Sequence, residues 1–273
     1  MITGVSSKKA TERMIKRAIS LHGLLLCGCL LLMIFQLQAQ SQVLRVAISD
    51  KDHPPYYFVD DNATLTGFTV ETLQAIADKL NLKLKWQRMP WTRALNYVET
   101  GRADVTPVCY KTPEREKVFQ FSYESYLTDP IVLLCVNPCP VTFDGTLASL
   151  GNEPVATVRH FSYGVELDKV PFQRADVVES DYMLFKLLLA ERVRLVMTTG
   201  HAVTHSTLLQ QAKDQIKVLQ PALDEVDVYF AFNKKPGLAP GLRDQLDQAL
   251  STFKRSEHYQ QLLAKYQLQL RRP

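Results

Sequence analysis

Apolar residues recur at two spacings along the chain, and the spacing switches repeatedly from one to the other. Val43 to Ser49 alternates as a strand does, and Val70 to Leu80 returns to one face every three or four residues after Gly67. Leu82 to Trp86 alternates again, and Trp91 to Thr100 is helical until Gly101 stops it. Ala103 to Val108 is the next strand, and Thr112, Pro113 and Glu114 are the N-cap, first-turn proline and first-turn acid of a short helix. The second half repeats the order. Glu153 to Val158, Asp176 to Glu179, Val193 to Thr198 and Ile216 to Leu219 are expected strands, separated by helices at Tyr163 to Asp168, Tyr182 to Glu191 and His201 to Ala212. One more strand, Val226 to Phe232, precedes helices at Leu242 to Phe253 and His258 to Tyr266. The pattern predicts an α/β fold with mostly parallel sheets.

The first residues follow a different pattern. Lys8, Lys9, Arg13, Lys16 and Arg17 precede an apolar run of 12 residues, Leu24 to Phe35, and a small residue follows in Leu37-Gln38-Ala39. Such a run falls short of the roughly 20 residues that span a bilayer. We read residues 1–39 as a cleaved secretory signal, with the mature chain starting near Gln40 and destined for the periplasm. Lipidation at Cys29 is the rival reading, but the apolar run continues past that residue, where a lipoprotein tether is polar.

Removing this segment changes the charge. The chain has 32 basic and 28 acidic residues; residues 1–39 hold five and one of them, leaving 27 of each. A neutral mature chain gives no footprint for nucleic acid or an acidic membrane surface. Its 234 residues suffice for two modest lobes. Cys109, Cys135 and Cys139 permit one disulfide and one free thiol, with the pairing open.

Arg115 is a local misfit. A basic side chain gains nothing from the dipole at a helix N-terminus, whereas an anion held between it and the exposed N–H groups gains from both.

The runs LRVAISDKDHPPYYF, LTGFTVETLQAIADKLNLKLKW, LNYVETGRADV, KTPEREKVFQFS and EHYQQLLAKYQ together resemble the family 3 extracellular solute-binding proteins. PWTRAL and RHFSYG point to a less characterised branch with a PWxRAL motif. The resemblance covers residues 43–267. It implies a two-lobed periplasmic binding protein-like fold of type II with two hinge strands. Lobe 1 is then residues 43–130 plus 233–273, lobe 2 is 137–225, and the hinges lie near 131–136 and 226–232. It also implies that Arg115 clamps the carboxylate of a small solute, an amino acid or related organic anion, held between the lobes for an ABC permease. A monomer is expected, with no cofactor, no metal and no catalytic residue.

One position departs from the family pattern. Thr199 stands where an acid would receive a ligand's ammonium group, and no Asp or Glu lies between Glu191 and Asp214. Asp50, Asp52 and Glu71 are the lobe 1 acids that could replace it, while Arg93, Arg159 and His160 favour an anionic ligand. Trp91, Tyr110 and Tyr163 are placed to cover a ligand with their rings, and Tyr56 and Tyr57 are equally suited to packing. Ser162 has a hydroxyl at an expected helix start. His201 and His205 have the spacing of a metal pair, but HAVTH lacks the glutamate of HExxH and no third ligand is suggested. Two other functions fit the same scaffold: a cyclohexadienyl-dehydratase-like enzyme, with Glu71 or Asp50 as its acid, and a periplasmic sensor receptor.

Overall fold

The computed structural model describes residues 42–234 and 241–268; the expected signal segment and Cys29 lie outside them. The strands are β1 (Val43–Ser49), β2 (Phe58–Val59), β3 (Leu65–Thr66), β4 (Lys83–Met89), β5 (Val105–Tyr110), β6 (Phe119–Phe121) and β7 (Leu127–Val136), followed by β8 (Val155–Val158), β9 (Arg174–Val178), β10 (Leu195–Thr199), β11 (Ile216–Val218) and β12 (Asp224–Asn233). The helices are α1 (Phe68–Lys79), α2 (Trp91–Glu99), α3 (Pro113–Val118), α4 (Val165–Lys169), α5 (Asp181–Leu189), α6 (Gly200–His205), α7 (Thr207–Gln211), α8 (Leu242–Lys254) and α9 (Glu257–Lys265).

Ten strands form one sheet along the path β4-β1-β5-β12-β7-β10-β8-β9, with β11 beside β7 and β6 beside β12. Parallel pairing holds at both ends: β1 runs with β4 and β5, and β8 with β10 and β9. The middle is antiparallel, which corrects the expectation of mostly parallel sheets. β12 pairs with β5 through Val105–Tyr110 and with β7 through Leu127–Ile131, and β7 continues against β10 and β11. These two ten-residue strands are therefore shared by the two halves of the sheet. Their runs of consecutive buried residues fit strands covered on both faces.

Each half has its own packing. Phe68, Tyr126, Phe230 and Tyr259 belong to an aromatic core beneath α1, α8 and α9, and Val132, Leu134, Ala156, Leu184, Phe185 and Val196 form the apolar cluster beneath α5. The bridge is Cys135–Cys139, while Cys109 is buried and unbridged. The single helix expected over His201 to Ala212 is two helices. Ser206 breaks it because its hydroxyl accepts from the N–H of Leu209 (3.3 Å) and caps α7.

Candidate functional site

The turn after β5 aims Arg115 back over its own strand. Thr112 Oγ1 accepts from the Arg115 N–H (3.3 Å) and Pro113 opens α3, so the side chain returns past Tyr110. Its Nη1 donates to the Tyr110 carbonyl (3.1 Å) and lies 3.6 Å from Cys109 Sγ. Among the described residues no carboxylate lies within ion-pair distance of it. A guanidinium has five N–H donors, so most of its bonding capacity remains for a ligand.

Arg115 lines a cavity together with His53, Tyr57, Trp91, Val108 and Tyr110 from the first half of the sheet, Asp129 at the start of β7, and Phe161, Ser162, Tyr163 and Thr199 from the second. Of the expected ligand residues, Arg115, Tyr110, Trp91, Ser162, Tyr163 and Thr199 thus share one space. Arg93, Arg159 and Asp50 stand outside its lining. Arg93 is exposed on α2, and Arg159 pairs with Glu179 in solvent (2.6 Å). Asp50 borders a second cavity with Asp52, Asp181, Tyr182 and His205. Asp52 is held by Arg88 (2.7 Å) and Glu71 by Lys265, Tyr266 and Thr66, so neither supplies the missing negative charge. Burial pushes the Glu71 carboxyl up, but these donors hold it below its ordinary value.

Several side chains are already engaged locally. Ser162 is not a helix cap, since α4 starts after Gly164; its hydroxyl donates to Asp168, which also accepts from the Tyr163 N–H (2.9 Å). The Tyr163 phenol accepts from Val158 N–H (2.9 Å), and the Thr199 hydroxyl accepts from Ala202 N–H (3.1 Å) at the start of α6. His201 Nε2 donates to the Thr128 carbonyl (3.0 Å) and His205 Nε2 to the Tyr266 carbonyl (2.8 Å). Both histidines therefore tie elements together, and no metal-holding cluster exists among the described residues.

Sequence reasoning missed Asp129. Its carboxylate is 1% exposed, accepts the Tyr56 phenol on Oδ1 and the Tyr110 phenol (2.5 Å) on Oδ2, and lies 3.8 Å from His201 Nε2. Burial raises the Asp129 carboxyl, opposed by the nearby histidines and the two phenols. Burial and the Asp129 charge in turn lift both phenols well above their ordinary range. The available signal was an acid inside the apolar run LTDPIVLLCV. His53 was missed too. Its Nδ1 is 3.0 Å from Asp181 Oδ2 on α5, and its ring stacks on Tyr56 at 4.7 Å, which places a contact between the halves beside the cavity.

Trp91 adds an unmet donor. Its indole Nε1 is buried and has no acceptor among the described residues, a costly state unless a ligand supplies one.

The profile of the bacterial extracellular solute-binding proteins, family 3, matches residues 44–269. A segment of 83 residues, 30% of the chain, is 31% identical to the probable amino-acid-binding protein YxeM of Bacillus subtilis and spans 31% of that relative's length. A solved mutant of ArgBP from T. maritima superposes with a TM-score of 0.71 at 23% identity, covering 82% of this chain and 94% of that one. A histidine kinase sensor domain with similarity to periplasmic binding proteins also reaches 0.71, at 16% identity over 84% of this chain and 97% of that one. At such identities the structural likeness concerns the fold.

Proposed function

Because the chain belongs to the bacterial extracellular solute-binding proteins of family 3, we propose that it captures a small carboxylate-bearing solute in the cavity at Arg115 and delivers it, from the periplasm, to an ABC permease. The observation that carries this reading is a half-buried guanidinium facing an aromatic-lined cavity without an acidic partner among the described residues. A carboxylate gains two parallel charge-assisted hydrogen bonds from such a fork, in surroundings that screen them less than water does. Trp91 lines the same space, and its indole N–H is a donor without an acceptor among the described residues.

Removing that donor alone has a measurable outcome. Trp91→Phe keeps an aromatic wall and deletes the N–H, so binding is expected to weaken by about 1–2 kcal/mol, while the ligand-free melting temperature holds or rises. Calorimetric titration alongside thermal unfolding of the free protein reads both.

Closure follows from the lining. Ligand contacts come from both halves of the sheet, so the solute favours the closed arrangement through contacts that an open one cannot make. Residues 43–130 plus 233–273 and residues 137–225 are then the moving bodies, with residues 131–136 of β7 and 226–232 of β12 as hinges. Small-angle scattering at saturating solute is expected to show contraction; an unchanged radius of gyration contradicts closure.

The test of the function is a thermal-shift screen of amino acids and organic acids, since a solute bound only by the native state raises its melting temperature. NMR of the solute after long incubation should recover it unchanged. Conversion over many turnovers would replace the receptor with an enzyme.

A further inference from the structure

Asp129 is a buried carboxylate whose two direct hydrogen bonds both come from neutral phenols, one on each oxygen. The nearest basic group, His201 Nε2, lies 3.8 Å away and directs its N–H at the Thr128 carbonyl. A carboxylate has about four acceptor positions, so capacity remains on both oxygens. Leaving that charge without a cation is costly in a buried setting. Arg115, in the same lining, is the complementary case: a cation without an anion. Tyr110 joins the two, its carbonyl accepting from Arg115 (3.1 Å) and its phenol donating to Asp129 (2.5 Å).

We propose that Asp129 receives the ammonium group of the solute, in place of the acid missing at Thr199, and that the solute is an α-amino acid with an uncharged side chain. The inference rests on the reading of Arg115 as the carboxylate clamp. A simple organic anion would bring negative charge beside Asp129, and a simple amine would leave Arg115 unpaired; a zwitterion satisfies both. Tyr57, Trp91, Val108 and Phe161 supply an apolar and aromatic wall, and the other basic side chain of the lining, His53, is engaged by Asp181. Nothing there complements a charged side chain. Both charged groups also precede Ile131, in the half of the fold that carries β1 and β5. The zwitterion is therefore recognised on that half, and the other half closes over it with Phe161, Ser162, Tyr163 and Thr199.

Calorimetry on the wild-type protein uses each uncharged proteinogenic L-amino acid, then the tightest binder's deaminated analogue, with L-arginine and L-glutamate as charged controls. The deaminated acid is expected to bind on the order of 100-fold more weakly. Asp129→Asn, which keeps the shape, is expected to weaken the amino acid by a similar factor and leave the deaminated acid unchanged or tighter. Three results overturn the proposal: equal affinity for the two probes in the wild type, equal weakening of both by Asp129→Asn, or preference for a charged side chain. Arg115→Ala separates the two readings. If binding of the deaminated acid depends on Arg115 but an amino group adds nothing, the role of Asp129 falls alone; if Arg115→Ala leaves the affinity of both probes intact, the carboxylate clamp falls with it.

Discussion

Arg115→Ala is expected to weaken solute binding by roughly 2–5 kcal/mol, the cost of leaving a carboxylate unpaired inside a largely dehydrated cavity. The side chain is held on course by the Thr112 cap and its bond to the Tyr110 carbonyl, so its fork is positioned before the solute arrives. Arg115→Lys is expected to recover only part of the loss, because an ammonium cannot reproduce two parallel hydrogen bonds. Stability of the free protein should change little, since no acidic partner among the described residues is left behind. The buried Cys109 thiol offers an internal check. Burial raises it and Arg115 opposes that, so the alanine variant should ionise Cys109 at higher pH still. Titration calorimetry on a carboxylate-dependent solute decides the main point; wild-type affinity in the variant would return Arg115 to the role of a surface charge.

Gly67→Ala should cost the fold about 2–5 kcal/mol, combining an unfavourable backbone conformation with a steric overlap. Gly67 has φ of +129°, a region that L side chains rarely adopt, and it opens α1. The first N–H groups of that helix donate to carbonyls of the preceding loop, Phe68 to Pro55 (2.8 Å) and Thr69 to Tyr56 (3.0 Å). A Cβ at Gly67 would overlap the Tyr56 oxygen and sit 2.7 Å from its carbonyl carbon and 2.9 Å from the Pro55 oxygen. All three are backbone atoms, so relief requires moving the loop that carries His53 and Tyr57 to the cavity and Tyr56 to Asp129. Urea unfolding should show the lost stability, and solute affinity should fall with it. A midpoint equal to wild type would show that the loop does not hold α1 as described.

Much of this arrangement was legible because local signals agreed with it. The alternation of Val43 to Ser49 is β1 residue for residue, and the Thr112-Pro113 start of α3 and the Gly101 stop of α2 follow from capping chemistry. Arg115 stood out as a cation at the wrong end of a helix. Sheet order was not legible, since the antiparallel centre comes from long-range pairing of β12 with β5 and β7, which no local spacing encodes. Ser206 concealed a helix break behind an apolar face that continues across it. Asp129 escaped because it lies inside an apolar run on β7, and only the tertiary fold brings Tyr56, Tyr110 and His201 to it.

The decisive experiment is a crystal structure with the tightest-binding solute from the thermal screen. One solute per chain is expected in the cavity between the halves, with its carboxylate within hydrogen-bond distance of the Arg115 guanidinium and Trp91 Nε1 no longer without an acceptor. A solute bound elsewhere, or seated in the cavity with its carboxylate turned away from Arg115, would contradict it.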